Sequence, residues 1–130
     1  MKYLCLGYID KKKFDALPET EREAMMAECF AYDAVLKKNG HFVRGEALQN
    51  PENASTLRWR NGKVMVTDGP YAETKEQIGG ILVLEARDLN HAIQLMSKHP
   101  GVCLGGPFEI RPVDDAITER ANARPGANLA

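Results

Sequence analysis

The chain of 130 residues has three cysteines, Cys5, Cys29 and Cys103, an odd number without close spacing. That argues against a disulfide framework and against a zinc site, and leaves free, mostly buried thiols as the expectation. No excess of one charge is present either. Seventeen basic against eighteen acidic residues give a net charge of -1, so no chain-wide field draws nucleic acid or an anionic membrane, and neither is an expected partner. Long apolar runs are missing as well. The stretch from Met1 to Ile9 is too short to span a bilayer, is cut off by Asp10 to Lys13, and lacks a signal peptide's cleavage region; a cytoplasmic location is expected. Phosphate loop, nucleophile elbow, zinc pattern and dinucleotide fingerprint are all absent, so the reading includes no metal and no cofactor. No repeat divides the chain, and a 44% hydrophobic composition is enough for one core.

What is there begins with alternation. Residues 2 to 9 place Leu4, Leu6 and Tyr8 on one side and Tyr3, Cys5, Gly7 and Ile9 on the other, a strand with two apolar faces. After a charged connection from Asp10 to Leu17, Pro18 suits a first helical turn and Thr20-x-x-Glu23 has capping-box spacing. Met25, Met26, Cys29, Phe30 and Leu36 form its inward stripe, and the helix ends near Asn39. A second strand is expected over His41 to Leu48, with Gly45 marking a bulge. Asn61-Gly62 then joins Ser55–Arg60 to Lys63–Thr67 as a type I′ hairpin whose first arm, with Leu57 and Trp59 on one face, is half-buried. A strand over Ile81–Ala86 is buried on both faces. Asp88 caps a second helix with Ala92, Leu95 and Met96 inward, stopped by Pro100-Gly101, and Val102–Val113 supplies the last strand, at an edge. Residues 1–114 are one domain; 115–130 are a poorly ordered tail with one short helix.

The densest polar cluster is Thr67-Asp68-Gly69-Pro70-Tyr71-Ala72-Glu73-Thr74-Lys75-Glu76, a loop that delivers charge to the rim of the apolar strand. Asp68 is either a general base desolvated by the sheet or the turn-forming residue before Gly69-Pro70. Glu73, Lys75 and Glu76 either grip a polar ligand or form a solvated loop or an ion pair. Arg58 can hold an anion, and His41 can titrate near neutral pH. His91 and His99 are read as capping and helix-dipole residues.

In order the elements read as a split βαβ layout with an added hairpin, both helices on one face of an antiparallel sheet. The apolar face left over needs a second copy of the chain, which predicts a homodimer with a cavity between its sheets. Asp68-Gly69-Pro70-Tyr71-Ala72-Glu73-Thr74-Lys75-Glu76, with Gly79-Gly80 after it, Gly45-Glu46-Ala47-Leu48-Gln49 before it and Gly106-Pro107-Phe108-Glu109-Ile110-Arg111-Pro112 beyond, resembles the DGPF branch of the YCII-related proteins. The resemblance implies a ferredoxin-like α+β fold forming a dimeric α+β barrel, in a bacterial cytoplasmic protein of poorly defined function. In the wider family a His–Asp pair facing a cleft is proposed as catalytic, with its histidine on the first helix. No histidine lies between Glu19 and Asn39 here, so that pair is not carried over.

Together these readings describe a homodimer that binds a small polar or aromatic metabolite, with cofactor-free, lyase-like acid–base chemistry by Asp68 first and Glu73 or Glu76 second. Lys75, His41 and Arg58 are its ligand-binding candidates. The alternative is a non-catalytic regulatory or interaction module, motivated by the resemblance to proteins associated with sigma-factor-type regulation.

Overall fold

The computed structural model describes residues 1–126. Four antiparallel strands make the main sheet: β1 (Lys2–Asp10), β2 (Phe42–Ala47), β5 (Glu76–Glu85) and β6 (Phe108–Pro112), in the order β2-β5-β1-β6. The two inner strands are the two most apolar segments of the chain, which puts the greatest burial where both edges are paired. Strands β3 (Ser55–Arg60) and β4 (Lys63–Asp68) form a separate two-stranded sheet. Asn61 and Gly62 take φ of 53° and 76°, the positive values a type I′ turn needs.

The helical layer covers one face of the main sheet. Helix α2 (Glu19–Lys38) sends Leu36 and Tyr32 inward, and α3 (Leu89–Ser97) sends Ala92, Leu95 and Met96, onto Tyr3 and Cys5 of β1 and Leu82 and Leu84 of β5. These are the alternate residues of each strand, so one face holds the core and the other is left to Leu4, Leu6, Ile81 and Val83, all half-buried. The expectation of two apolar faces is met for β1, but β5 is not buried on both faces: the helices reach only one, and Ile81 and Val83 stay half-buried on the other.

Several local expectations are corrected. The connection after β1 contains a short helix, α1 (Lys11–Asp15), because the Asp10 carboxylate accepts from Lys13 N–H and nucleates a turn. Pro18, not Thr20, stands at the N-cap of α2, and no side chain caps that end, so the capping box does not form. Phe30 and Met26 face outward while Tyr32 and Asp33 turn in. The register irregularity of β2 lies between Phe42 and Arg44, not at Gly45, whose missing Cβ instead makes room for the Phe42 ring. The hairpin's first arm is not half-buried on its apolar face: Leu57 is 66% and Trp59 71% exposed. Pro100-Gly101 opens a new helix, α4 (Pro100–Cys103), as proline suits a first turn, and this shortens the last strand to Phe108–Pro112. Of the three thiols only Cys5 is buried.

A further helix, α5 (Asp115–Ala123), is capped by Asp114 accepting from Ile117 N–H and buries none of its residues. The expected poorly ordered tail includes residues 127–130, which lie outside the described residues.

Candidate functional site

One carboxylate and one imidazole meet between α2 and α4. Along α2, Cys29, Asp33 and Leu36 follow at four and three residues, which places Asp33 on the inward stripe between a thiol and the core. A charge on that stripe needs a partner. His99 supplies it, with Nε2 3.0 Å from Asp33 Oδ1 and the imidazole only 5% exposed. On its other side Nδ1 accepts from Gly101 N–H at 3.0 Å. That acceptor role fixes the tautomer: the proton sits on Nε2 and is donated to Asp33.

The surroundings make the ring immobile. Tyr32 meets it edge-on with centroids 5.6 Å apart, and Phe108 lies tilted at 5.1 Å. Two glycines permit this packing by having no Cβ. One at Gly101 would come 3.1 Å from His99 Nδ1 and 3.2 Å from Phe108, and one at Gly7 would come 2.9 Å from the Phe108 ring. Tyr32 in turn donates its hydroxyl to Leu95 O, tying α2 to α3. Nearby, burial first and the Asp33 charge second push the Cys29 thiol above its ordinary value, so it stays a thiol at neutral pH.

Asp33 reaches outward as His99 does not. It lines a cleft of about 360 Å³ together with Phe30, Ala34, Lys37, Lys38 and Phe42. Lys37 Nζ stands 5.3 Å from the centre of the Phe42 ring. The cleft therefore offers two ammonium groups, two aromatic rings and one carboxylate whose Oδ1 is held by an imidazole. Ammonium groups and ring faces are groups suited to an anion with a flat body, and a carboxylate is suited to accept a proton.

The residues expected to form a site are arranged differently. Asp68 and Glu73 come together on the wall of an open depression of about 430 Å³, with Glu52, Gly69, Pro70, Thr74 and Gln77. Both are exposed, as are Lys75 and Glu76. Lys75 and Glu76 lie outside that wall, where Glu76 pairs with Asp10 at the end of the sheet and its carbonyl accepts from Thr74 Oγ1. Arg58 donates from Nη2 to Tyr71 O and stacks near the Tyr71 ring, which ties the hairpin's root to the loop. His41 lies apart from all of these, with Nδ1 3.0 Å from Glu85 O and its ring edge-on to His91 at 5.1 Å. Desolvation, then the charges of Arg87 and His41, lower the His91 pKa. Among the described residues no three His, Cys, Asp or Glu side chains are grouped to hold a metal, and no helix is long and apolar enough to cross a membrane.

The family model for the YCII-related domain matches residues 1–117. The chain belongs to the YCII-related family. It is also 31% identical over 117 residues to the uncharacterized protein R00369 of Rhizobium meliloti (strain 1021), covering 87% of this chain and 92% of that protein. Within this YCII-related chain a His–Asp pair exists after all, with the carboxylate on the first long helix and the imidazole at the head of α4. Sequence reasoning missed it because His99 reads as a helix-end histidine. The signal was Asp33, a charged residue in phase with Cys29 and Leu36.

Proposed function

We propose that this YCII-related protein binds a small, planar, anionic metabolite in the cleft beside Asp33 and moves a proton on it, without metal or cofactor. The carrying observation is the carboxylate on the cleft wall whose Oδ1 accepts from a buried, tautomer-fixed imidazole. Asp33 takes the role of base through its other oxygen. His99, both nitrogens engaged, positions Asp33 and does not itself exchange protons with a ligand. Lys37 and Lys38 hold the anion, and Phe30 and Phe42 flank its plane.

The protein acts as a homodimer. Strand order and the one-sided helical layer fit a ferredoxin-like split βαβ plan with an inserted hairpin, and the turn at Asp68-Gly69-Pro70-Tyr71 favours the DGPF branch. The open sheet face carries two cross-strand rows, Arg44-Val83-Leu4-Arg111 and Glu46-Ile81-Leu6-Glu109. A two-fold axis lying along the rows and midway between them sets the arginine row of one copy opposite the glutamate row of the other, with aliphatic side chains at the centre. A dimeric α+β barrel results. A second reading, favoured by Asp68 and Glu73 sharing one depression, places binding of a polar ligand at the central loop, with Lys75 and Glu76 at its margin.

Native mass spectrometry of fresh protein, with and without denaturation, reads the subunit number and any retained molecule. Saturation-transfer NMR with benzoate as probe then separates the parts. Wild type and Asp33→Asn should bind it, and Lys37→Glu should not. Equal transfer in all three, or loss only with Asp68→Asn, would remove the Asp33 cleft from the reading.

A further inference from the structure

The hairpin β3–β4 is the feature that neither the fold nor the cleft explains. Leu57 stands opposite Val66 and Trp59 opposite Val64, so these four side chains share one face. They are 66%, 65%, 71% and 54% exposed. Four large apolar residues on one face of a two-stranded sheet are not a solvent-adapted surface, and such a hairpin alone is marginal in water. Each strand of the pair packs chiefly against the other and only sparsely against the other strands and helices of its own chain.

Its root is fastened. Gly69 N–H donates to Ala54 O, Thr56 Oγ1 to Gly69 O, and Arg58 grips Tyr71 from the opposite face. These bonds hold the half-buried side of the hairpin to the central loop and leave the apolar side turned away. Six residues per strand give the arm a reach of about 20 Å.

Charge is compatible with a second copy as occupant, and buried area argues for it. Between Ser55 and Thr67 stand Arg58, Arg60 and Lys63 and no carboxylate, so an arm of +3 in a chain of net charge -1 leaves -4 on the body. That asymmetry steers an arm toward the body of another molecule at long range, while the cations themselves, on the face opposite Trp59, take no part in the apolar contact. Nucleic acid fits less well, because the arginines project from the face opposite Trp59, whereas stacking platforms combine aromatic and cationic groups on one surface. Each apolar arm face offers on the order of 400 Å². Two arms, each burying that area and an equal area of the other chain, reach the roughly 1,600 Å² of a standard stable interface.

We infer that β3–β4 is a clasping arm whose Leu57, Trp59, Val64 and Val66 face packs on the body of the second copy, so that the two subunits embrace each other reciprocally. The inference rests on the homodimer reading and adds to it a contact that sheet stacking does not require.

Trp59 is the chain's single tryptophan, which makes it the reporter. Its emission and acrylamide quenching would be measured from nanomolar to tens of micromolar protein, with mass by sedimentation at the same concentrations. A dimer with blue-shifted, poorly quenched emission that turns red on dilution to monomer supports the clasp. If the dimer resists dilution, Val66→Lys should weaken it at least tenfold, and failure to do so refutes the clasp. A dimer whose Trp59 stays solvent-exposed refutes the arm but spares the sheet-to-sheet dimer, and turns attention to a heterologous partner. A monomer with buried Trp59 shows the arm folding onto its own chain and also overturns the inference. Monomer with exposed Trp59 at every concentration overturns both readings.

Discussion

Replacing His99 with alanine removes three interactions at once, and their sum can be worked from the geometry. The loss of the Nδ1 acceptor leaves Gly101 N–H at the head of α4 without its cap, about 1 kcal/mol. The hydrogen bond to Asp33 involves a charged acceptor, but Asp33's side chain is 29% exposed and water replaces part of what is lost, so about 1 kcal/mol is a fair figure. Truncating a ring that packs on Tyr32 and Phe108 leaves a cavity and forfeits two aromatic contacts, about 2 kcal/mol. The expected total, about 4 kcal/mol, is a large part of the roughly 5–15 kcal/mol available to a small domain. Urea denaturation followed by far-UV circular dichroism is the assay, since Trp59 sits on the hairpin and reports poorly on the core. With a slope of about 1.5 kcal/mol per molar, the midpoint should fall by about 2.7 M. His99→Asn, which can still accept from Gly101, should recover about 1 kcal/mol. A double-mutant cycle with Asp33→Asn should show a coupling near 1 kcal/mol. A loss below about 1 kcal/mol for His99→Ala, or zero coupling, would refute the arrangement of the pair and with it the positioning role given to His99.

Two other perturbations test the packing. In Gly106→Ala the added Cβ would lie 2.9 Å from Tyr8 O and 3.0 Å from Gly101 O; both are backbone atoms with no rotamer to escape into, so a loss of about 2 kcal/mol or more is expected in the same urea assay. Burial pushes the Cys5 thiol up to about 11, so iodoacetamide at pH 8 should label exposed Cys103 first and leave Cys5 until the protein is unfolded. The unfolded chain ionises that thiol near its ordinary 9.0 while the folded one does not. Cys5's contribution is therefore complete below pH 9 and is lost as pH rises toward 11, by about 2 kcal/mol, a slope that Cys5→Ala should abolish.

How far the cleft was legible follows from what each residue's neighbours in sequence reveal. Asp68 and Glu73 drew attention because turn chemistry and charge density are local properties, and the structure does bring both to one depression. Asp33 and His99 are 66 residues apart, and their pairing depends on how α2 and α4 cross the sheet, which no local signal carries. His41 and Arg58 make their own contacts well apart for the same reason.

Local pattern in the chain specifies the order of the strands, the helices α2 and α3, the Asn61-Gly62 hairpin and the alternation along β1 and β5, because side-chain periodicity and turn preference act over a few residues. It also carries the family, whose resemblance rests on three short runs. Packing between distant segments sets which residues of α2 turn inward, which apolar face of β1 and β5 the helices cover, that Pro100 starts a helix instead of ending one, and that the apolar face of the hairpin stands uncovered. Those outcomes depend on competition between surfaces distant in the chain, where burial of one group is settled by what another leaves open.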